Sequence, residues 1–412
     1  MPLIRPFAGL RPAPEYVAGV IAPPYDVLSS EEARVRAAGK PYSFLHISKP
    51  EIDLPSDVDP YDPRVYAQGR ASFQRMLEAN VLRRDPAPYY YFYRLTMGSH
   101  TQVGLVAAAS CAAYAAGRIR KHEHTQPAKE DDRVRQIDAL NAQTGPVFLT
   151  YRHVDAIDAL AQEVQTTPPN VDVTADDGVR HTLWVVAEPA RIAALSEMFE
   201  RIDRLYIADG HHRSAAALRV AEQRRAANPG HTGEEAYNYF LAVIFPDNQT
   251  QVLDYNRVVR DLNGLAPDAF LERVRAAFDI TPEARAVKPA ARGEFGMYLG
   301  RQWYRLRIRT DRIPNDPVGR LDVSLLQQHL LAPVLGIEDP RRDKRIDFVG
   351  GIRGLAELVR RVDSGEMAVA FALYPTSIAD MMAVADANQV MPPKSTWFEP
   401  KLADGMVSHL LD

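Results

Sequence analysis

The residues best suited to chemistry fall in one short run, Asp209-Gly210-His211-His212-Arg213, inside LYIADGHHRSAAALRVAEQRR. The apolar residues 205–208 predict a short strand that ends at Asp209. Gly210 allows a tight turn, and a helix is expected to start at once and reach about residue 227. A helix start presents unpaired backbone N–H groups and the positive end of the helix dipole, which together attract anions. Arg213 adds a fork-shaped donor suited to phosphate oxygens. His211 and His212 can exchange protons near neutral pH. Asp209 would repel a phosphate on its own, so it is expected either to hold Mg²⁺ or to act as a base toward a hydroxyl.

A second run, GRIRKHEHTQPAKEDDR at 117–133, gathers Lys121, His122, Glu123, His124, Thr125 and Lys129. It follows a predicted strand, where binding loops tend to lie. Glu123 is the first candidate for a general base. His122 and His124 have the spacing of two metal ligands on a strand, but the HExxH pattern is absent. A third run, MPPKSTWFEPKL at 391–402, places Lys394, Ser395 and Thr396 in a proline-bounded turn that could bind phosphate. In IAPPYDV, 21–27, the prolines fix an extended approach, and Tyr25 and Asp26 are candidates for lining a ligand. Four of the eight lysines, Lys121, Lys129, Lys394 and Lys401, fall within these runs.

Other chemistries are excluded or weakened. There is no Walker A run, no GxGxxG and no GxSxG. Cys111 is the only cysteine, so the chain has neither an internal disulfide nor a cysteine metal cluster. It is expected in an alanine-rich strand as a small buried residue. Trp184, Trp303 and Trp397 are expected to pack rather than to stack on bases. With 49 basic and 53 acidic residues the net charge is −4, which argues against a general nucleic-acid or membrane-surface binder. No apolar run is long enough for a signal peptide or a membrane span, so a cytoplasmic protein is expected.

These residues must be held by a chain of 412 residues, 46% apolar and 25% charged, enough for a sizeable core. At roughly 150 residues per domain, two or three domains follow. The first 85 residues are rich in proline and turn signals, with a helix predicted over 66–79. Strands are predicted at 89–97 and 101–109 around a Gly98-Ser99-His100 turn, and at 147–151, 178–187 and 238–245. Helices are predicted at 129–141, 155–165 and 191–201. Downstream come helices at 266–278, 323–335, 355–362 and 378–387, and strands near 295–309 and 367–374. Residues 261–268 (DLNGLAPD) read as a linker. Strands and helices intermix without strict alternation, giving an α+β or mixed α/β class.

Taken together and in order, IRPFAGLRP, APPYDV, KHEHT…DDR with NAQTGPVF, ADGHHRSAAA and MPPKSTWFEPKL resemble the DUF1015 family, over residues 4–402. The DGHHR turn is also similar to the phosphate-binding box of the ParB/sulfiredoxin superfamily, which includes kinases of free L-serine. The resemblance implies a ParB/sulfiredoxin-like catalytic core at 89–262. A proline-rich segment, 1–88, would pack on it, and a C-terminal α/β domain, 263–412, would contribute the Lys/Ser/Thr loop. It further implies a kinase that passes phosphate from ATP, with Mg²⁺, to the hydroxyl of L-serine, giving O-phospho-L-serine. Glu123, Asp209 and His211 would be catalytic, with Asp209 also on the metal. Lys121, Gly210, His212, Arg213, Lys394, Ser395 and Thr396 would handle the nucleotide, and Tyr25, Asp26 and His124 the acceptor. His211 stands where sulfiredoxin needs a cysteine, which excludes that chemistry. The expected partners are nucleotide and a small acceptor, not nucleic acid or membrane, and a homodimer is compatible. A metal-dependent hydrolase built on the histidines, or a nucleotide-binding regulator without turnover, are the alternatives.

Overall fold

A computed structural model describes residues 1–412, which form two compact units, 1–250 with 400–412 and 251–399. The class is mixed α and β, as the sequence implies. No helix is long and apolar enough to cross a membrane.

The first unit is built on a nine-stranded sheet. From one edge its strands run Ile119–Arg120, Leu205–Asp209, Val147–Tyr151, Tyr239–Pro246, His100–Ser110, Tyr90–Met97, Arg180–Val186 and Val171–Thr174. Ile4–Arg5 pairs with the far end of His100–Ser110. Two of the pairings are parallel, Ile119–Arg120 with Leu205–Asp209 and Val147–Tyr151 with Tyr239–Pro246. Tyr239–Pro246 is buried along its whole length, the continuous apolar run expected of a central strand covered on both faces. Tyr90–Met97 uses aromatics that suit a pleated surface, and Tyr90, Tyr91 and Tyr93 are almost wholly buried.

The helix His211–Ala227 packs on Pro127–Leu140 and on the short helix Cys111–Ala115. Pro127 opens its helix where a missing N–H costs nothing, and Asn141 closes it in the left-handed conformation at φ 50°. Near the N-terminus, the helix Pro63–Glu78 is capped by Asp62 and buries Val65, Tyr66, Phe73 and Met76. Phe73 and Met76 join Phe44, Ile47 and Leu140 in a second apolar cluster.

Most predicted elements stand within a residue or two. Cys111 departs from expectation by starting a helix rather than lying in the strand. Ser110 accepts from the Ala113 N–H at 3.1 Å, and this cap ends the strand there. Burial pushes the Cys111 thiol up to about 12, so it is not a nucleophile.

The second unit has a six-stranded antiparallel sheet. Its order is Phe278–Glu283, Gln302–Ile308, Glu294–Leu299, Val369–Leu373, Tyr255–Val259, Ile346–Gly350. Residues 261–268 lie inside this unit, running from beyond Tyr255–Val259 into the first turn of the helix Pro267–Val274. The helix predicted at 323–335 is instead an α-helix, Asp322–Leu326, that widens into a π-turn at Gln327–Leu331. Gln327 donates its side-chain amide to the Ile337 carbonyl at 2.6 Å, tying the widened turn to the chain that follows.

Candidate functional site

The first unit's candidate residues meet at the carboxyl ends of the parallel pair Ile119–Arg120 and Leu205–Asp209. Such strand ends are where open α/β sheets commonly bind ligands. The register slips between Ile207 and Asp209, so Asp209 pairs with Phe148, and this bulge re-aims the last residue of the strand. Gly210 follows at φ 99°, a conformation side chains rarely adopt. A Cβ there would also lie 3.2 Å from the Arg213 guanidinium carbon and 3.3 Å from Val147 Cα. Only glycine therefore lets the strand turn at once into the helix.

Arg213 is buried and held from several sides. It donates to the Pro146 carbonyl, donates to Asp209 Oδ2 at 3.1 Å, and faces Asp26 Oδ2 at 3.7 Å. Gly145 leaves room for it, since a Cβ there would press on Arg213 Cδ at 3.3 Å. Burial alone would weaken the charge of Arg213, but Asp209, Asp26 and Asp404 more than compensate and hold it protonated. Asp209 shows the same balance with opposite sign. Burial disfavours its charge, yet Lys401 at 4.0 Å, together with Arg213 and His211, keeps its carboxyl well below the usual range.

The histidines are neutral and ordered by the neighbouring loop. The His122 backbone N–H donates to His211 Nε2 at 3.4 Å, which leaves the Nδ1 proton of neutral His211 facing Glu123 Oε2 at 3.9 Å. The rings of His122 and His211 meet edge to face at 4.4 Å. Burial pushes His122 down to about 4, and burial with His122 as neighbour pushes His211 well below its ordinary value. His212 accepts from the Gln126 backbone N–H at 3.0 Å, and burial and Lys129 lower it too.

On the other side, Arg133 from the Pro127–Leu140 helix lies over the Tyr25 ring at 4.0 Å. Burial pushes the Tyr25 hydroxyl up to about 12, so it stays protonated. The structure therefore brings Tyr25, Asp26, Glu123, Asp209, Gly210, His211, His212 and Arg213 into one cluster. Lys121 and His124 are exposed on the loop after the edge strand. Lys394, Ser395 and Thr396 belong to the second unit. There the Lys394 carbonyl accepts from Arg257 at 2.8 Å, Ser395 donates to the Pro392 carbonyl at 2.5 Å, and Thr396 is half-buried.

Sequence reasoning did not assign Arg133, Lys401 or Asp404 to the site. Asp404 is buried, pairs its backbone with Ala22 in both directions, and lines a cavity with Arg213 and Arg133. The only signal was a lone acid among the apolar residues 402–407. No group of three or more histidine, cysteine or acidic side chains is arranged to enclose a metal ion. Asp209 does offer a carboxylate of the kind with which a nucleotide-borne Mg²⁺ is commonly held.

A model of the family described as "Protein of unknown function (DUF1015)" matches residues 4–324. The chain belongs to the DUF1015 family. No curated protein matches this DUF1015 chain by sequence. Among solved structures it is similar to a free serine kinase in complex with AMP, at 14% identity and TM-score 0.35, covering 71% of this chain and 86% of that one. It is similar to SbnI with C-terminal truncation from Staphylococcus aureus, at 12% identity and TM-score 0.38, covering 73% and 85%. A conserved hypothetical protein from Pyrococcus furiosus gives 15% identity and TM-score 0.34, covering 73% and 93%. Likeness at this level does not carry an activity from one chain to another, so the function must be argued from the residues of this site.

Proposed function

We propose that this DUF1015 chain is a kinase that transfers the γ-phosphoryl of ATP to the hydroxyl of free L-serine, on a ParB/sulfiredoxin-like core. The observation that carries the proposal is the turn at 210–213, where a helix N-terminus and a buried Arg213 fixed by Pro146 and Asp209 face the same place as two carboxylates. Phosphoryl transfer needs little covalent help from a protein. Positioning and charge stabilisation supply most of the rate, and this turn offers both.

The two carboxylates divide the work. Asp209 is ringed by Lys401, Arg213 and His211, and its depressed pKa makes it a weak base. It suits the role of orienting Arg213 and meeting a phosphate-bound Mg²⁺, which would neutralise charge on the phosphates. Glu123 takes the base role, receiving the serine hydroxyl proton as the oxygen attacks phosphorus. The Nδ1–H of His211 faces its Oε2 at 3.9 Å, close enough to orient it once the acceptor is bound. Tyr25 and Asp26 lie across Arg213 from the loop and are assigned to the acceptor.

The test is direct. Purified protein with ATP, Mg²⁺ and L-serine should form O-phospho-L-serine, and Glu123→Gln should slow turnover by about 10²- to 10⁴-fold while nucleotide still binds. Absence of product with serine and with a panel of small hydroxyl acceptors, despite nucleotide binding, would leave a regulator without turnover.

A further inference from the structure

Three buried polar atoms close to the turn have no protein partner: Arg213 Nε, Asp404 Oδ2 and Ser48 Oγ. All three residues line one cavity of about 40 Å³, shared with Tyr25, Arg133 and Thr144. That volume has room for roughly one to three waters. Leaving such an atom unpaired is costly, so three around one polar cavity make it suited to hold water.

We propose that Asp404 is a positioning residue for Arg213, acting through water held in this cavity, and that its charge sets how strongly Arg213 attracts a phosphate. The proposal rests on the turn being the phosphate-handling site. Asp404 is fixed by its two backbone hydrogen bonds to Ala22, at 3.1 and 2.9 Å, which lock residues 400–412 against the segment carrying Tyr25 and Asp26. Each terminal nitrogen of Arg213 commits one N–H, to Pro146 and to Asp209, which leaves a second N–H on each for a ligand, while Nε has no protein partner.

The charged groups facing Asp404 are Arg213 on its helix, Arg133 on the Pro127–Leu140 helix and Asp26, with the Tyr25 backbone N–H. Burial pushes the Asp404 carboxyl up to about 7, opposed by Arg213 and Arg133 and assisted by Asp26. Below that pH Asp404 is neutral, and Arg213 is offset by Asp209 and Asp26 alone. Above it a third carboxylate offsets the same guanidinium, and attraction for an anion weakens.

Calorimetric titration with ADP at pH 6 and pH 8 tests this on wild type, Asp404→Asn and Arg213→Lys. The protonation of ADP itself is common to all, so the variants are compared by the ratio of affinities at the two pH values. The wild-type ratio should exceed that of Asp404→Asn by about 3- to 10-fold, with the variant tighter at pH 8 and equal at pH 6. Equal ratios, with Arg213→Lys binding poorly, overturn the role of Asp404 and leave the phosphate site standing. If Arg213→Lys binds ADP as well as wild type, the phosphate site itself falls, and the proposal with it. A high-resolution crystal structure of the wild-type protein supplies a readout that survives misfolding of any variant. Water within hydrogen-bond distance of both Asp404 Oδ2 and Arg213 Nε supports the proposal, and a dry cavity overturns it.

Discussion

Arg213 joins three parts of the first unit through one planar group. It reaches the Pro146 carbonyl before one strand, Asp209 at the end of another, and Asp26 in the proline-bounded N-terminal segment. A lysine at this position would keep the charge but could not make divergent contacts from a rigid fork. Arg213→Lys should therefore fold, yet lose about 10- to 100-fold in ATP affinity, the worth of one or two charge-assisted hydrogen bonds. Fluorescence or calorimetric titration measures this, with circular dichroism as the control for folding. Unchanged affinity would show that phosphate binds elsewhere. His211 and His212 are set differently, because burial keeps both neutral and each accepts a backbone N–H from the 121–126 loop. At neutral pH they therefore act on that loop through hydrogen bonding rather than through charge.

At the scale of elements, the strand-turn-helix at Leu205–Ala227 depends on Gly210. Gly210→Ala would force a side chain into positive φ and push on both Arg213 and Val147. The left-handed conformation alone costs about 1–2 kcal/mol, and the crowding adds to it. Urea denaturation should show a loss of about 1–3 kcal/mol, accompanied by weaker ADP binding because Arg213 must move. A variant as stable as wild type would mean that the turn relaxes freely. This motif was legible in the sequence because its residue types act locally: an apolar run, a glycine, then polar first-turn residues. The parallel edge strand Ile119–Arg120 was not, since two residues carry no periodicity. Asp404 was missed, and Lys401 was noted only within the 391–402 run, for another reason. They reach the cluster from the far end of the chain, about 190 residues beyond Arg213, and spacing along a sequence does not report such a meeting.

At the scale of the whole molecule, buried titratable groups set how each unit responds to acid. The first unit holds His122, His181 and His409 at about 4, each lowered mainly by burial. Their unfolded value lies near 6.5, so between pH 6.5 and 4 the unfolded chain binds protons that the folded one does not. The stability they contribute is complete above 6.5 and is lost as pH falls through that window, by about 2 kcal/mol per histidine at pH 5. Asp404, raised to about 7 in the same unit, binds its proton in the folded state over this range and offsets the loss in part. In the second unit the sign reverses. Burial raises Asp322 to about 7, and its Oδ2 has no partner, so acidification from pH 7 to 5 favours the folded form. Hydrogen exchange in urea, read separately on Tyr239–Pro246 and Val369–Leu373, should therefore show the first unit weakening from pH 7 to 5 while the second holds or gains. His181→Asn, which removes one depressed group, should flatten the first unit's slope. Parallel slopes in both units would show that exposed carboxylates, not these buried groups, govern the acid response.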